Sequence, residues 1–465
     1  MQSMAKKQNV IIDTGRVLKS KGVCTMSNHI VSTIQYSSVV NKTLLRNMQL
    51  FADNHDVQKI YLFVMAGKNK DETSLPSYLL DDERFEFLFL GKEGMKINNN
   101  LKLFDSQILA SQINPLTGMN KKLSSQFSYI LPSPKIRYMS LPNTGNSPRF
   151  IATTGALTHG NYKSHIAQGR KADLEHEYGF AFIEVKNSRV FNYHPVMALK
   201  NGNFNYEREC YKNGKVYDEQ PEALVLGDWH TGDTCPKTRK ATIEMIERLK
   251  PKRVVWHDFF NGHSVNHHER NNNLSKAALW RKKMHVLEEE VEMCLKELNF
   301  FAHKFPKVQF LISESNHDLF LKRFIGEENF LEDGANSVFA CGMFIEMSKD
   351  RKTPTLQLAM QQVGKIAKNV KFLSEDEEYR VKGVGLDYHG HRGVNGARGT
   401  SASFSNYNLR LITGHEHTPK IHPNGMVVGT STFLKLNYAK GASSWLNAHG
   451  LLYPSGKYTL LTLIF

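Results

Sequence analysis

The stretch ALVLGDWHTGD (residues 223–233) places a short apolar run directly before a polar turn that carries aspartate and histidine. A short apolar run bounded by turn residues is typical of a buried β-strand. The same arrangement returns in RVVWHDFFNGH (253–263), KVQFLISESNHD (307–318), VKGVGLDYHGHRG (381–393) and RLITGHEHTP (410–419). Helical patterns lie between several of these strands, and this alternation predicts an α/β layered domain.

Two apolar periodicities predict the helices of this region. In residues 236–252, apolar side chains recur at three-residue spacing, as on one face of a helix. In residues 272–305 they recur at spacings of three and four, so the pattern predicts one long amphipathic helix. The apolar positions of that helix are Trp280, Met284, Leu287, Val291, Leu295 and Leu298.

Residues 1–220 are predicted to form a separate α/β N-terminal domain ahead of a domain formed by residues 221–465. Its predicted strands are rich in β-branched and aromatic residues. They are KIYLFVMAG (59–67), RFEFLFLG (84–91), RFIATTG (149–155) and YGFAFIEV (178–185). The proline-containing polar stretch PSPKIRYMSLPNTGNSP (132–148) is predicted to be a loop.

The chain of 465 residues has a formal net charge of +15, and more than half of this excess lies before residue 220. A basic excess favours polyanionic partners such as nucleic acid or an anionic membrane surface. A basic protein without such a partner is the alternative. We expect nucleic acid to be the partner, with the N-terminal part serving DNA binding or assembly.

Cysteine usage and hydropathy indicate a cytoplasmic protein. The five cysteines are scattered and include no CxxC pair, which argues against a disulfide framework and a structural zinc site. The N-terminal segment MQSMAKKQNVIIDTG has only VII as its apolar run, too short for a signal peptide. No run approaches the about 18 apolar residues of a membrane span.

Metal-ligand residue types follow each of the five predicted strands. They are Asp228, His230, Asp258, Asn316, His317, Asp318, His389 (with His391 nearby), His415 and His417. Each cluster alone has an ordinary explanation, because an Asp-x-His pair is often a surface pair and Asn-His-Asp a turn or helix cap. Ligand sites in α/β sheets form beyond the carboxyl ends of strands. Five such groups at strand ends therefore predict a metal site.

The order of these groups resembles the calcineurin-like binuclear metallophosphoesterases. That family's signature runs Asp-x-His, Gly-Asp, Gly-Asn-His-Asp/Glu, a lone His and Gly-His-x-His, and it is matched here by GDWHTG, WHDFF, SNHD, DYHGH and TGHEH. The match covers roughly residues 221–465. His257 and Ser315 stand where the family usually has glycine. Two histidines fit the fourth motif, His389 and His391, and we favour His389 because it comes first after the strand.

The resemblance implies a four-layer α/β/β/α sandwich and two divalent metal ions, with Mn²⁺ favoured and Mg²⁺, Fe²⁺ or Zn²⁺ as alternatives. It assigns Asp258 as the ligand that bridges both ions. The remaining ligands are Asp228, His230 and His417 for one ion and Asn316, His389 and His415 for the other. Mixed imidazole, carboxylate and amide ligands suit such borderline-hard ions.

The implied chemistry is phosphoester hydrolysis by a hydroxide that bridges the two metals and attacks phosphorus in line. His317 is the candidate general acid for the leaving oxygen. Asp318 is expected to orient His317, and a helix N-cap is an ordinary role for it that can coexist with the first. Arg392 and Arg398, in a glycine-rich loop, are candidate phosphate ligands, and His263 is a candidate channel residue. An exposed loop and solvated polar surface are the alternatives for these three.

The resemblance names a reaction class, and several substrates fit it. A DNA nuclease, most similar to the double-strand-break repair exonucleases or to phage-encoded nucleases that degrade DNA, fits the basic charge best. A small-molecule or nucleotide phosphodiesterase is the alternative. A protein phosphatase ranks last because WHDFFNG lacks the GDYVDRG-like segment of those enzymes, and a non-enzymatic scaffold is disfavoured because every ligand position is filled. An accessory domain of this size is compatible with a homo-oligomer.

Overall fold

The computed structural model describes residues 26–464, except 70, 92, 106, 143–147, 269–271, 328–329, 401–402, 405–408 and 437–440. The N-terminal segment that argues against a signal peptide, together with Cys24, lies outside the described residues. The other four cysteines are free thiols. Within the described part of the chain, none of the helices combines the length and apolar character that crossing a bilayer demands.

The mixed α/β character predicted from the sequence is confirmed. The helices described are α1 (Lys42–Asn54), α2 (Met119–Lys122), α3 (Ala167–Leu174), α4 (Pro236–Leu249), α5 (Asn273–Lys282), α6 (Leu287–Lys304), α7 (Asn316–Gly326), α8 (Ser337–Lys349) and α9 (Thr355–Val363). The strands of the first half are β1 (Ser27–Gln35), β2 (Val57–Met65), β3 (Phe85–Leu88), β4 (Met95–Asn98), β5 (Leu101–Leu103), β6 (Ser128–Leu131), β7 (Tyr138–Leu141), β8 (Arg149–Thr153), β9 (Gly179–Val185), β10 (Phe191–Met197), β11 (Phe204–Tyr206), β12 (Glu209–Lys212) and β13 (Lys215–Asp218). The strands of the second half are β14 (Ala223–Val225), β15 (Arg253–Trp256), β16 (Gln309–Ser313), β17 (Val370–Leu373), β18 (Arg380–Val381), β19 (Val384–Gly385), β20 (Leu411–Thr413), β21 (Lys420–His422), β22 (Gly425–Val427), β23 (Ala448–Leu452) and β24 (Tyr458–Thr462).

A six-stranded sheet carries three of the predicted strands, in the order β17-β16-β15-β14-β23-β24. Strands β14 to β17 are parallel, so their carboxyl ends lie along one edge. Alternate side chains of β15 are buried in two different hydrophobic cores. Val255 packs toward a second sheet, whereas Val254 and Trp256 pack among the helices. This two-sided burial is the reason for the continuous apolar runs in the sequence.

A five-stranded sheet, in the order β10-β9-β1-β2-β3, extends the same layer. Its edge strand β10 lies beside β24, the edge strand of the six-stranded sheet. The hydroxyl of Thr459 on β24 donates to the carbonyl oxygen of Pro195 on β10 at 2.8 Å. Proline cannot donate to a sheet ladder, which suits its position in an edge strand.

A ten-stranded sheet, in the order β18-β19-β20-β22-β21-β7-β8-β6-β5-β4, shares one apolar core with the six-stranded and five-stranded sheets, and β11, β12 and β13 form a separate three-stranded sheet. It includes strands from before and after residue 220, because β7 pairs with β21 through Met139 opposite Lys420 and Tyr138 opposite Ile421. The expected boundary at residue 220 therefore does not separate two independent bodies. A truncation there would divide this sheet.

Two local predictions are wrong. The single long helix over 272–305 is two helices, because Lys283 adopts a left-handed conformation with φ of 57° after α5. The predicted loop over 132–148 contains strand β7. Its Tyr138 is buried and stacks on Phe150, with ring centroids 4.8 Å apart. That aromatic burial holds an extended strand between the prolines.

Candidate metal centre

The carboxyl ends of strands from two sheets converge on one site. Asp228 follows β14, Asp258 follows β15 and Asn316 begins α7 just after β16, all in the six-stranded sheet. His389 follows β19 and His415 follows β20, both in the ten-stranded sheet. The residues that the sequence singled out at strand ends therefore meet across the interface between two layers.

One cluster joins Asp228, His230, Asp258 and His417, whose potential ligand atoms all lie within 4.8 Å of one another. Nε2 of His230 lies 3.1 Å from Nε2 of His417. The same nitrogen of His417 lies 3.0 Å from Oδ2 of Asp228. These separations allow the atoms to reach one ion, whose bonds to such ligands are about 2.0–2.2 Å long.

A second cluster joins Asp258, His389 and His415 within the same limit. Nε2 of His389 lies 3.2 Å from Oδ2 of Asp258. The amide oxygen of Asn316 lies 2.9 Å from Nε2 of His389 and 3.0 Å from Nδ1 of His415, so this side chain completes the cluster. Asp258 belongs to both clusters.

The two carboxylates of the site are buried and incompletely satisfied. Asp228 and Asp258 are 0% and 1% exposed, and Oδ1 of each has no hydrogen-bond partner. Burying a carboxylate without full compensation is costly, and a bound cation removes that cost. The donor set therefore fits divalent metal ions.

The pKa values of the buried histidines and carboxylates indicate that the two clusters favour a positive charge. Burial lowers the pKa of His230 to about 3 and that of His415 to about 4, so both imidazoles are neutral at pH 7, as metal ligands must be. Burial opposes protonation of His389 too, yet the carboxylates of Asp258 and Asp228 raise its pKa to about 9. Burial opposes ionisation of Asp258, but the neighbouring histidines, His389 first, hold its pKa well below the usual range. The raised pKa of His389 follows from the attraction of the two carboxylates for positive charge.

Four of the ligand-type residues hold their backbone in the left-handed region without being glycine. The φ angles are 46° for His230, 43° for Asp258, 72° for His415 and 55° for His417. Such conformations cost about 1–3 kcal/mol each and cluster at functional sites, where the surrounding structure imposes them. The strained backbone of these four residues therefore lowers the local stability of the site.

Gly414, in TGHEH, is required by close packing. A Cβ atom at this position would lie 2.1 Å from Oδ1 of Asp228 and 2.8 Å from Cβ of His257. The backbone N–H of His415 donates to Oδ2 of Asp228 at 2.8 Å. The glycine lets strand β20 approach Asp228 closely enough to present its two histidines.

His317 lies beside the first cluster, with its ring 4.6 Å from that of His230 in an edge-to-face arrangement. Its Nδ1 contacts the backbone carbonyl oxygen of Asn261, which fixes the ring. The predicted orienting partner, Asp318, instead caps helix α7: its carboxylate accepts from the backbone N–H of Ser315 at 2.9 Å, in a capping box. Burial raises the pKa of Asp318 well above its usual value. The contacts show the helix-capping role of Asp318, and among the described residues the hydrogen bond that holds His317 comes from Asn261.

The choice between the two histidines of the fourth motif follows from their contacts. His389 lies in the second cluster, whereas Nε2 of His391 lies 2.7 Å from Oε1 of Glu375, outside both clusters. Glu375 also pairs with Arg392, at 2.9 Å. Arg392 and Arg398 face each other in an isolated bridge of the glycine-rich loop. This loop borders a cavity of about 400 Å³ that His389 also lines.

His263 is connected to the site through Asn261. Its Nε2 lies 3.0 Å from Oδ2 of Asp233 and 2.8 Å from Nδ2 of Asn261, the residue whose carbonyl oxygen contacts His317. Sequence reasoning did not assign Asp233 and Asn261. Both residues lie in the quoted strand-end motifs, but the backbone contact of Asn261 with His317 leaves no signal in the sequence.

His257 was recognised in the sequence only as a departure from the family pattern. It is fully buried beside His389, with ring centroids 5.5 Å apart, and neither ring nitrogen has a hydrogen-bond partner. Burial lowers its pKa to about 4, which keeps it neutral. A neutral ring adds bulk behind the second cluster without adding charge.

The chain is similar to Protein A1 of Escherichia phage T5, with 25% identity over 466 aligned residues that cover 93% of this chain and 81% of that protein. No protein-family model and no solved structure matches the chain. The similarity supports the predicted phage origin. The name of the T5 protein specifies no activity, so the chemistry of the site has to be argued from its residues.

Proposed function

We propose that this protein is a metal-dependent phosphodiesterase that hydrolyses DNA, with a metallophosphoesterase-type sandwich as its catalytic fold. The observation that carries the proposal is the position of Asp258 in both ligand clusters. A shared carboxylate is what a pair of ions about 3.5–4 Å apart requires. Single-ion sites have no need of a ligand common to two clusters.

Asp228, His230 and His417 are proposed to hold one ion, and Asn316, His389 and His415 the other, with Asp258 between them. Two divalent ions, Mn²⁺ in the first instance, supply Lewis acidity toward a phosphodiester and a nucleophilic water. Proton release from His389 on metal binding follows from its raised pKa, so the metal affinity should increase with pH.

His317 is proposed to move the proton of the reaction. Its Nδ1 is held at the carbonyl oxygen of Asn261, which leaves Nε2 as the atom that gives a proton to the leaving oxygen. The residue lies in the first turn of α7, where the helix dipole favours a phosphate. Asn261 positions this histidine directly, and Asp233 and His263 support it indirectly through their contacts with the side chain of Asn261.

DNA is the proposed substrate because of the charge of the chain. The net charge of +15 suits a polyanion, and a phosphate backbone binds through many lysine and arginine contacts. Arg392 is proposed to contact phosphate after leaving Glu375, together with Arg398 from the same loop.

The test is digestion of linear and circular duplex DNA in Mn²⁺, with Mg²⁺, EDTA and His317→Ala as comparisons. We expect Mn²⁺-dependent loss of DNA that His317→Ala abolishes, and faster loss of linear DNA would indicate an exonuclease. A small chromogenic phosphodiester is assayed in parallel. Its cleavage with DNA untouched would overturn the nuclease proposal and favour a small-molecule phosphodiesterase.

A further inference from the structure

Helix α5 stands apart from the core. None of its residues is buried, and its sequence from Asn273 to Lys282 contains no acidic residue. Lys276, Arg281 and Lys282 form no ion pair among the described residues. A helix that buries nothing and carries only positive charge is not held in place by the core, and it suits an anionic partner.

Trp280 on this helix is 63% exposed. It stacks on the ring of His285, with centroids 3.8 Å apart and planes 18° apart. Two of the other tryptophans, Trp229 and Trp256, are fully buried. An exposed tryptophan that a second ring holds in place is a rigid aromatic surface on which a base can stack.

Trp280 lines a cavity of about 750 Å³. The wall of the cavity carries one positive charge, from Lys276, and two carboxylates, from Glu332 and Asp333, while Phe324 adds an apolar surface. Both oxygen atoms of Asp333 accept hydrogen bonds from Asn336. His263 lines the same cavity. Because His263 contacts Asn261, which contacts His317, the cavity adjoins the catalytic end of the site.

We propose that this cavity binds a base of single-stranded nucleic acid, stacked on Trp280, while the lysine and arginine residues of α5 contact the neighbouring phosphates. This inference rests on the proposed function: in a protein that hydrolyses DNA, the cavity would hold an unpaired strand end beside His317. Base stacking on an aromatic side chain tolerates any sequence, which suits an enzyme that degrades DNA generally.

The test measures binding without catalysis. A fluorescently labelled oligothymidylate is titrated in EDTA against the full chain and the variants Trp280→Ala and Trp280→Phe, with fluorescence anisotropy as the signal. We expect Trp280→Ala to raise the Kd about tenfold and Trp280→Phe to keep it within about twofold, because phenylalanine retains a stacking face. The matched control is Tyr217→Ala, an exposed aromatic on β13 that should leave the Kd unchanged.

Hydrolysis of the small chromogenic phosphodiester in Mn²⁺ separates this inference from the proposed function. Trp280→Ala should hydrolyse it at the wild-type rate, because the diester has no base to stack. A wild-type Kd for Trp280→Ala, or an equal loss in Tyr217→Ala, would overturn the stacking site even if DNA hydrolysis is found. Loss of binding in Trp280→Ala alone, in a protein that hydrolyses no diester, would support the site and reject the proposed function.

Discussion

Two sheets in one layer end their parallel strands in different ways. In the five-stranded sheet, the polar groups at the end of β1 are neutral and pair with one another: the backbone N–H of Asn161 donates to Oε1 of Gln35 at 3.0 Å, and Nδ2 of Asn161 donates to the carbonyl oxygen of Tyr36 at 2.9 Å. Nε2 of Gln35 has no hydrogen-bond partner, but it carries no charge. In the six-stranded sheet, Asp228 and Asp258 keep open oxygen atoms among imidazoles. The residue types at a strand end decide what it can do. The neutral groups of Gln35, Tyr36 and Asn161 form what we call the closed junction, whereas carboxylates and imidazoles form a candidate ligand site.

Among the variants that test this contrast, Asp258→Ala is expected to have the largest effect on metal content and hydrolysis. Both clusters lose their shared carboxylate, so metal content and phosphodiester hydrolysis should fall to background together. Metal content is measured by mass spectrometry on the purified protein, beside hydrolysis of the small diester. Gln35→Ala, at the closed junction, is the matched control and should retain both. Retained activity in Asp258→Ala would contradict a two-metal site.

His317→Ala tests the proton donor without removing a proposed metal ligand. We predict a fall in kcat of about 10²- to 10⁴-fold with unchanged metal content, as expected for the loss of a general acid. A substrate with a leaving group of low pKa should be less affected, because its oxygen needs no proton. Equal loss with every leaving group would assign His317 a different role.

His176 lies next to the closed junction, because Thr158, which it contacts, accepts a hydrogen bond from the backbone N–H of Gln35 at 3.1 Å. We expect this histidine to affect the pH dependence of stability. Burial lowers the pKa of His176, whose Nε2 lies 2.9 Å from the carbonyl oxygen of Thr158, from 6.5 to about 4. Between pH 6.5 and 4 the unfolded chain therefore binds more protons than the folded one, and stability falls as the pH falls through this window. Urea unfolding of the EDTA-treated protein should show a shallower decline in His176→Gln. An unchanged slope would contradict the neutral, buried state of His176.

The smallest effect is expected from Asn161→Ala. It removes the side-chain hydrogen bond to Tyr36 and should lower the free energy of unfolding by about 1 kcal/mol. Metal content and turnover should remain at the wild-type level, since Asn161 belongs to the closed junction. A loss of metal from this variant would show that the two strand ends are coupled.

Much of the site was predictable because its signals are local. Short apolar strands run into Asp228, Asp258 and Asn316, and a strand end fixes the direction in which the next residues project. The role of Asp318 was not predictable, because the same Asn-His-Asp run suits an orienting carboxylate and a helix cap, and only the contact with Ser315 distinguishes them. The break at Lys283 was equally hidden, since the apolar spacing continues through it.

The sequence by itself determined the residue types of the candidate ligands, their order along the chain and their position after strands, because these depend on residue type and on near neighbours. Only the tertiary structure decided that strands from before and after residue 220 share one sheet, that His389 rather than His391 joins the second cluster, and that an exposed Trp280 lies beside the site. Each of these depends on contacts between residues far apart in the chain. Such contacts depend on how the whole chain buries its apolar surface, and a local sequence pattern does not determine that.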